Sequence, residues 1–250
     1  MIGRVWALEW RIALTRRRLF AWNVIVPVAL LLPVAASPAA APHRAAVFSV
    51  FIVFFATFGS CIPLVREGAS GWVEKVRLTG YGERAWLAER TIAAAALDAL
   101  QLLPLLLILL AVSGASWAPG LGAAAGLLLA LLFGNLLGSV IAALVRSLAE
   151  GALACAAASL FALHLSGVFR AAGPGTWAET VEHLSPFGPL HDGLLAVSAG
   201  SPAVTRALTG TGGVGPLASW IGPIAVVLLG AGLVLAAAPT LARRLAGAAA

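Results

Sequence analysis

Charge is scarce in this chain. Asp, Glu, Lys and Arg make up 10% of its 250 residues and hydrophobic residues 61%, whereas a soluble globular domain carries about 25% charge. That balance excludes an ordinary water-soluble domain. Lysine is nearly absent: Lys75 is the only one, and valine follows it. No Gly-x-x-x-x-Gly-Lys-Ser/Thr loop therefore exists to cradle a nucleotide. Zinc helices of the His-Glu-x-x-His kind, glycine-rich cofactor loops and haem-attachment patterns are missing too. The two cysteines, Cys61 and Cys155, lie in or near apolar stretches. They make neither a disulfide framework nor a metal-ligand spacing and read as small packing residues. Gly59-Ser60 and His164 lack the surroundings of a serine protease. An intramembrane enzyme stands only as the alternative from a different class.

Long apolar runs are what the chain has in their place. A bilayer core about 30 Å thick needs about 20 apolar residues per helix. Six stretches qualify, at roughly 19–36, 45–65, 91–112, 120–145, 151–169 and 218–240. They use the whole length, so the expectation is a single all-α transmembrane domain over 1–250. Thr15-Arg16-Arg17-Arg18-Leu19-Phe20 before the first run is similar to a cleavable twin-arginine signal. Five further spans follow it, which favours an uncleaved first helix.

Orientation follows from the basic residues, which collect on the cytoplasmic side. With the N-terminus inside, Arg4, Arg11, Arg16, Arg17, Arg18, Arg66, Lys75, Arg77, Arg84, Arg90, Arg146, Arg243 and Arg244 are cytoplasmic, and only Arg44, Arg170 and Arg206 face out. Both termini are then cytoplasmic. The net charge of +6 reports this topology and contact with anionic membrane lipid, not a nucleic-acid partner. Trp22, Trp86, Trp117 and Trp220 fall at span ends, where tryptophan anchors helices at the interface. Arg4, Arg11 and Arg18 recur every seven residues, which puts them on one face of an N-terminal helix lying in the membrane plane.

The densest charge lies between spans 2 and 3, in Arg66–Arg90, REGASGWVEKVRLTGYGERAWLAER. Gly68 to Gly71 break the exit from span 2. Trp72 to Leu78 form two turns of amphipathic helix, with Trp72, Val73 and Val76 beside Glu74, Lys75 and Arg77. Thr79-Gly80-Tyr81-Gly82 is a turn by its glycines. Glu83 opens the next helix, where a carboxylate suits the positive end of the dipole. Composition alone leaves this loop equally readable as a solvated connector.

The loop resembles that of the type-2 permeases of ATP-binding-cassette exporters. There a glutamate precedes Gly-Thr-x-Glu, a hydrophobic pair, Thr-Pro, and later a large residue ahead of a basic one. The matching positions are Glu67, Gly71-Trp72-Val73-Glu74, Val76 and Leu78, Thr79-Gly80, Trp86 and Arg90. Trp72 replaces the threonine and Gly80 the proline. The resemblance implies that Glu67, Gly71, Trp72, Val73, Glu74, Lys75, Val76, Arg77, Thr79 and Gly80 couple the chain to a separate ATP-binding subunit, which holds the ATP and magnesium. It also implies a second permease, identical or related, in the plasma (inner) membrane. Export of an amphipathic or aromatic drug or antibiotic leads, with a lipid, glycan or peptide as the alternative.

Candidate substrate-path residues lie in the spans. Phe48, Phe51, Phe55 and Phe58 make one stripe on span 2, fit for packing or for an apolar wall. Asp98 and Gln101 share a face of span 3. A carboxylate inside a membrane is a functional candidate, yet Asp98 is only roughly 12 Å from the inner boundary, so a structural hydrogen bond remains open. His164 in span 5 reads either as an interface residue or as a proton relay. Span 4 has small residues at every fourth place, among them Gly122, Gly126, Gly134 and Gly138, a pattern that lets another helix approach closely. Asn135 is interhelical glue. Short outer helices are expected at Thr176–His183 and Leu190–Ser198, followed by a mobile stretch at 199–216.

Overall fold

The computed structural model describes residues 4–170, 173, 175–200 and 218–247; among these, helices joined by short turns make up the structure, with no strand. In chain order they form α1 (Arg4–Thr15), α2 (Arg17–Ala35), α3 (Ala41–Ala69), α4 (Trp72–Leu78), α5 (Glu83–Ser113), α6 (Trp117–Leu144), α7 (Leu148–Leu165), α8 (Trp177–Leu184), α9 (Gly188–Ala199) and α10 (Ala218–Gly247). Six of them, α2, α3, α5, α6, α7 and α10, are long and apolar enough to cross a membrane.

Local chemistry sets the boundaries. Pro42 sits in the first turn of α3, where its missing N–H costs nothing. Gly114 ends α5 in the left-handed region at φ 64°, a conformation that disfavours any Cβ. Ser147 caps α7 by accepting from the Glu150 amide at 3.1 Å, and Glu150 in turn accepts from the Arg146 amide at 2.8 Å. Thr176 caps α8 in the same way, one residue later than the expected start.

The spans pack around α3 and α6. Gly138 lets α6 meet the α3 backbone at Thr57, and a Cβ on Gly134 would lie 2.7 Å from the Ala56 Cβ. Further along, Gly126 faces α9, where a Cβ would come within 2.6 Å of the Pro189 carbonyl oxygen. The small-residue ladder thus serves two partners, α3 at one end and α9 at the other. Gly122 has open space where its Cβ would be. It admits no neighbour of its own, because the closest approach of α9 falls at Ala123, beside Gly193.

Two apolar clusters fill the bundle. One gathers Phe48, Ile52, Leu102, Leu105, Leu127 and Leu190 at the α9 end. The other gathers Leu64, Val73, Trp86, Leu87, Leu241 and Leu245 at the α4 end. Trp86 belongs to this second cluster and is 3% exposed. It is a core residue rather than an interfacial anchor, because α5 begins more than a turn before the apolar run. Trp22 and Trp117 are exposed at helix starts, as anchors would be.

The N-terminal helix also differs from its expected form. Arg16 leaves helical geometry at φ −90°, ψ 52°, and the break puts Arg18 on α2 while Arg4 and Arg11 stay on α1. Three consecutive arginines repel one another, and a bend spreads them. The short helices α8 and α9 stand within about two residues of their expected bounds. The stretch 201–217, with Arg206 and most of the segment expected to be mobile, lies outside the described residues.

Candidate functional site

The loop between α3 and α5 folds as a bracket. Gly71 turns the chain at φ 70° and Gly80 turns it back at φ 72°; both are left-handed positions that suit glycine. Between them α4 divides into two faces. Val73, 1% exposed, packs into the cluster with Leu64, Trp86, Leu87 and the α10 residues Leu241 and Leu245. Val76 and Arg77 follow on the same side. Arg77 pairs with Glu74 at 2.8 Å and its Nε lies 3.5 Å from Glu83, tying α4 to the first turn of α5.

Trp72, Lys75, Leu78 and Thr79 are exposed along the opposite face. Trp72 is therefore not grouped with Val73 and Val76. The step of 100° per residue rotates it onto the outer face, which Leu78 shares three positions beyond Lys75. Glu74 stands between the faces, engaged by Arg77. Two large apolar side chains, Trp72 and Leu78, are thus exposed on an otherwise polar loop.

Below α4 a second polar network joins three helices. Arg90 of α5 binds Glu9 of α1 and, at 2.8 Å, Glu67 at the end of α3. Glu89 accepts from the amides of Val5 and Trp6 at 3.0 and 3.3 Å and from the Tyr81 hydroxyl at 2.6 Å. Its carboxylate thereby satisfies free N–H groups in the first turn of α1. Glu67 is a fastener here and does not belong to the outer face of α4. Gly68 adds the closest approach: a Cβ there would lie 2.6 Å from the Leu245 carbonyl oxygen. The ends of α3, α5 and α10, with α1 and α4, so form one interlocked unit.

The candidate path residues do not all fall together. Phe48 is 1% exposed and packs against α5 and α9 in the core. It stands toward those helices, away from the open side of α3. Phe51, Phe55 and Phe58 are half-buried on that open side, and Phe54 joins them. The Phe51–Phe55 centroids are 6.0 Å apart and the Phe54–Phe58 pair stacks at 5.7 Å. Phe54 escapes a search at strict three-and-four spacing from Phe48; counting from Phe51 or Phe58 finds it.

Asp98 is buried on α5 and accepts from Asn135 Nδ2 at 2.9 Å. Asn135 also donates to the Leu131 carbonyl at 2.8 Å and accepts from Ser60 Oγ, so α3, α5 and α6 meet in one polar knot. Gln101 is buried one turn further on, outside that triad. His164 is exposed in the last turn of α7, unlike a histidine packed in a core. Cys61 and Cys155 are free and fully buried. Cys155 Sγ donates to the Thr57 carbonyl oxygen at 3.8 Å across the α3–α7 seam. Distant in sequence, the two cysteines are neighbours in space. No group of three or more His, Cys, Asp or Glu side chains placed to hold a metal ion occurs among the described residues.

The family model described as ABC-2 type transporter matches residues 2–198. That range takes in α1 through α9 almost entirely, including the bracket, the Arg90 network and the Asp98 knot. No curated protein matches the chain.

Proposed function

The chain belongs to the ABC-2 type transporter family, and from its place there as a multi-pass membrane permease subunit we propose that it exports an amphipathic or aromatic compound across the plasma (inner) membrane. Membership implies association with an ATP-binding subunit. In our reading that subunit holds the ATP and magnesium and grips the outer face of α4. The observation that carries the proposal is the two-sidedness of α4, clamped through Val73 and Arg77 beneath and presenting Trp72, Lys75 and Leu78 outward. A handle fastened so firmly to the ends of α3, α5 and α10 passes a push into those helices instead of absorbing it.

The distribution of basic residues supports a cytoplasmic α4 and cytoplasmic termini. A second permease, a copy or a relative, faces the side of α3 that carries Phe51, Phe54, Phe55 and Phe58, with α7 beside it. The substrate passes between the two halves as they alternate between inward- and outward-open states, which nucleotide and substrate each bias. The aromatic face favours an aromatic or amphipathic cargo of the drug or antibiotic kind.

The test is reconstitution of the chain with its ATP-binding subunit in inside-out vesicles. ATP-dependent accumulation of an aromatic dye is expected, and Trp72→Ala should abolish dye-stimulated ATP hydrolysis. Dye transport by the chain without any ATPase, or unimpaired coupling in Trp72→Ala, would overturn the proposal.

A further inference from the structure

Resting on the export reading, we propose that Asp98, reached through the gap at Gly59, binds the positive charge of a lipophilic monovalent cation and so selects the substrate class. Gly59 is exposed on α3, and a Cβ built there would lie 3.6 Å from both carboxylate oxygens of Asp98. Asp98 is itself buried, at 8% exposed, and the glycine places no side chain between its carboxylate and the exposed surface of α3 at that point. Phe55 lies one turn before Gly59, and Phe58 immediately precedes it.

The carboxylate is under-used as a structural group. Its hydrogen bond comes from Asn135, although an ionised carboxylate accepts about four. Asn135 has nothing more to give, since its second N–H is committed to Leu131 and its oxygen to Ser60. No ion pair among the described residues includes Asp98. An asparagine at 98 would accept the same bond from Asn135. Ionised, the aspartate adds a negative charge that an asparagine lacks, and such a charge is costly within a membrane and calls for a counter-charge.

The surroundings define that counter-charge. A metal ion would need several oxygen or sulfur ligands, and no cluster of three or more candidate side chains accompanies Asp98 among the described residues. Aromatic rings attract organic cations through their faces. One carboxylate reached at Gly59, on the helix that carries Phe55 and Phe58, therefore fits a single diffuse positive charge carried on an apolar body. An anion of the same shape would meet the carboxylate unfavourably.

The experiment uses the full chain in zwitterionic-lipid nanodiscs, with tetraphenylphosphonium and tetraphenylborate as probes of matched shape and opposite charge. Binding is read by equilibrium dialysis against empty nanodiscs. Saturable tetraphenylphosphonium binding is expected, weakened roughly thirtyfold in Asp98→Asn, a variant that keeps the Asn135 hydrogen bond. Gly59→Val should cause a comparable loss with the carboxylate still present, and thermal unfolding of both variants checks their fold. Tetraphenylborate should bind poorly to the native chain and better to Asp98→Asn. Unchanged tetraphenylphosphonium affinity in folded Asp98→Asn and Gly59→Val, or a native preference for the anion, would overturn the inference. Failure of the export reading would show differently, as cation binding intact in nanodiscs but no ATP-dependent transport by the reconstituted complex.

Discussion

Replacing Val73 with alanine should loosen α4 without unfolding the spans. Val73 is 1% exposed in the cluster formed with Trp86, Leu87 and the end of α10. Removing its two methyl groups costs about 2 kcal/mol in lost burial and cavity. Alanine's better helix propensity returns about 0.5 kcal/mol, leaving about 1.5 kcal/mol, or roughly a tenfold shift toward the detached form. A helix of seven residues has no independent stability to offset this, because isolated helices need about 12–15 residues to form even marginally. Amide hydrogen exchange reads the effect directly: protection across residues 72–79 should fall about tenfold, with the centres of α3 and α6 unaffected. Trp72→Ala should behave oppositely. Its ring faces outward, so exchange in the lone chain should not change, while affinity for the ATP-binding subunit should drop roughly thirtyfold, as for a central interfacial tryptophan. Equal protection in Val73→Ala and the native chain, or a comparable loss in Trp72→Ala, would refute the assignment of the two faces.

Two further outcomes follow from the packing and from burial. Gly138→Leu should destabilise the chain by at least about 1–3 kcal/mol, since its side chain would collide with α3 at Thr57, whereas Gly122→Leu should be tolerated in the open space at that position; thermal unfolding in detergent separates them. Burial of His191, beside Ser49 at 3.2 Å, lowers its pKa from 6.5 to about 4. The unfolded chain therefore takes up this proton first as pH falls. The stabilisation is complete above about pH 6.5 and is lost on acidification toward pH 4, by about 2–3 kcal/mol. His191→Gln should flatten that part of a stability profile measured between pH 4 and 7.

Much of the architecture was readable from hydropathy, because spans must be long, apolar and punctuated by Gly, Pro or charge. The bounds of α4 were legible for the same reason: Gly71 and Gly80 bracket a run too polar to enter lipid. What could not be read was direction around each helix. Trp72 and Val73 are neighbours in sequence with opposite fates, and Phe48 left its stripe because α5 and α9 close over that side of α3. Trp86 reads as interfacial by its place at a span end, and nothing in its neighbourhood along the chain reveals that Val73 and the end of α10 cover it. Pairings across distant segments were equally hidden. Nothing in the order of residues announced that Cys61 would meet Cys155, that Asn135 would join Asp98 to Ser60, or that Glu89 and Arg90 would receive α1.

That last attachment has a mechanical consequence. Glu89 and Arg90 hold α1 at two points, its leading amides and Glu9, so α1 cannot swivel freely at the base of α5. Any rocking of α5 sweeps α1 with it like an outrigger. If α1 lies along the membrane surface, as its arginines suggest, the drag of that sweep would add to the work of each transport cycle, and the surrounding leaflet would act as a brake on turnover.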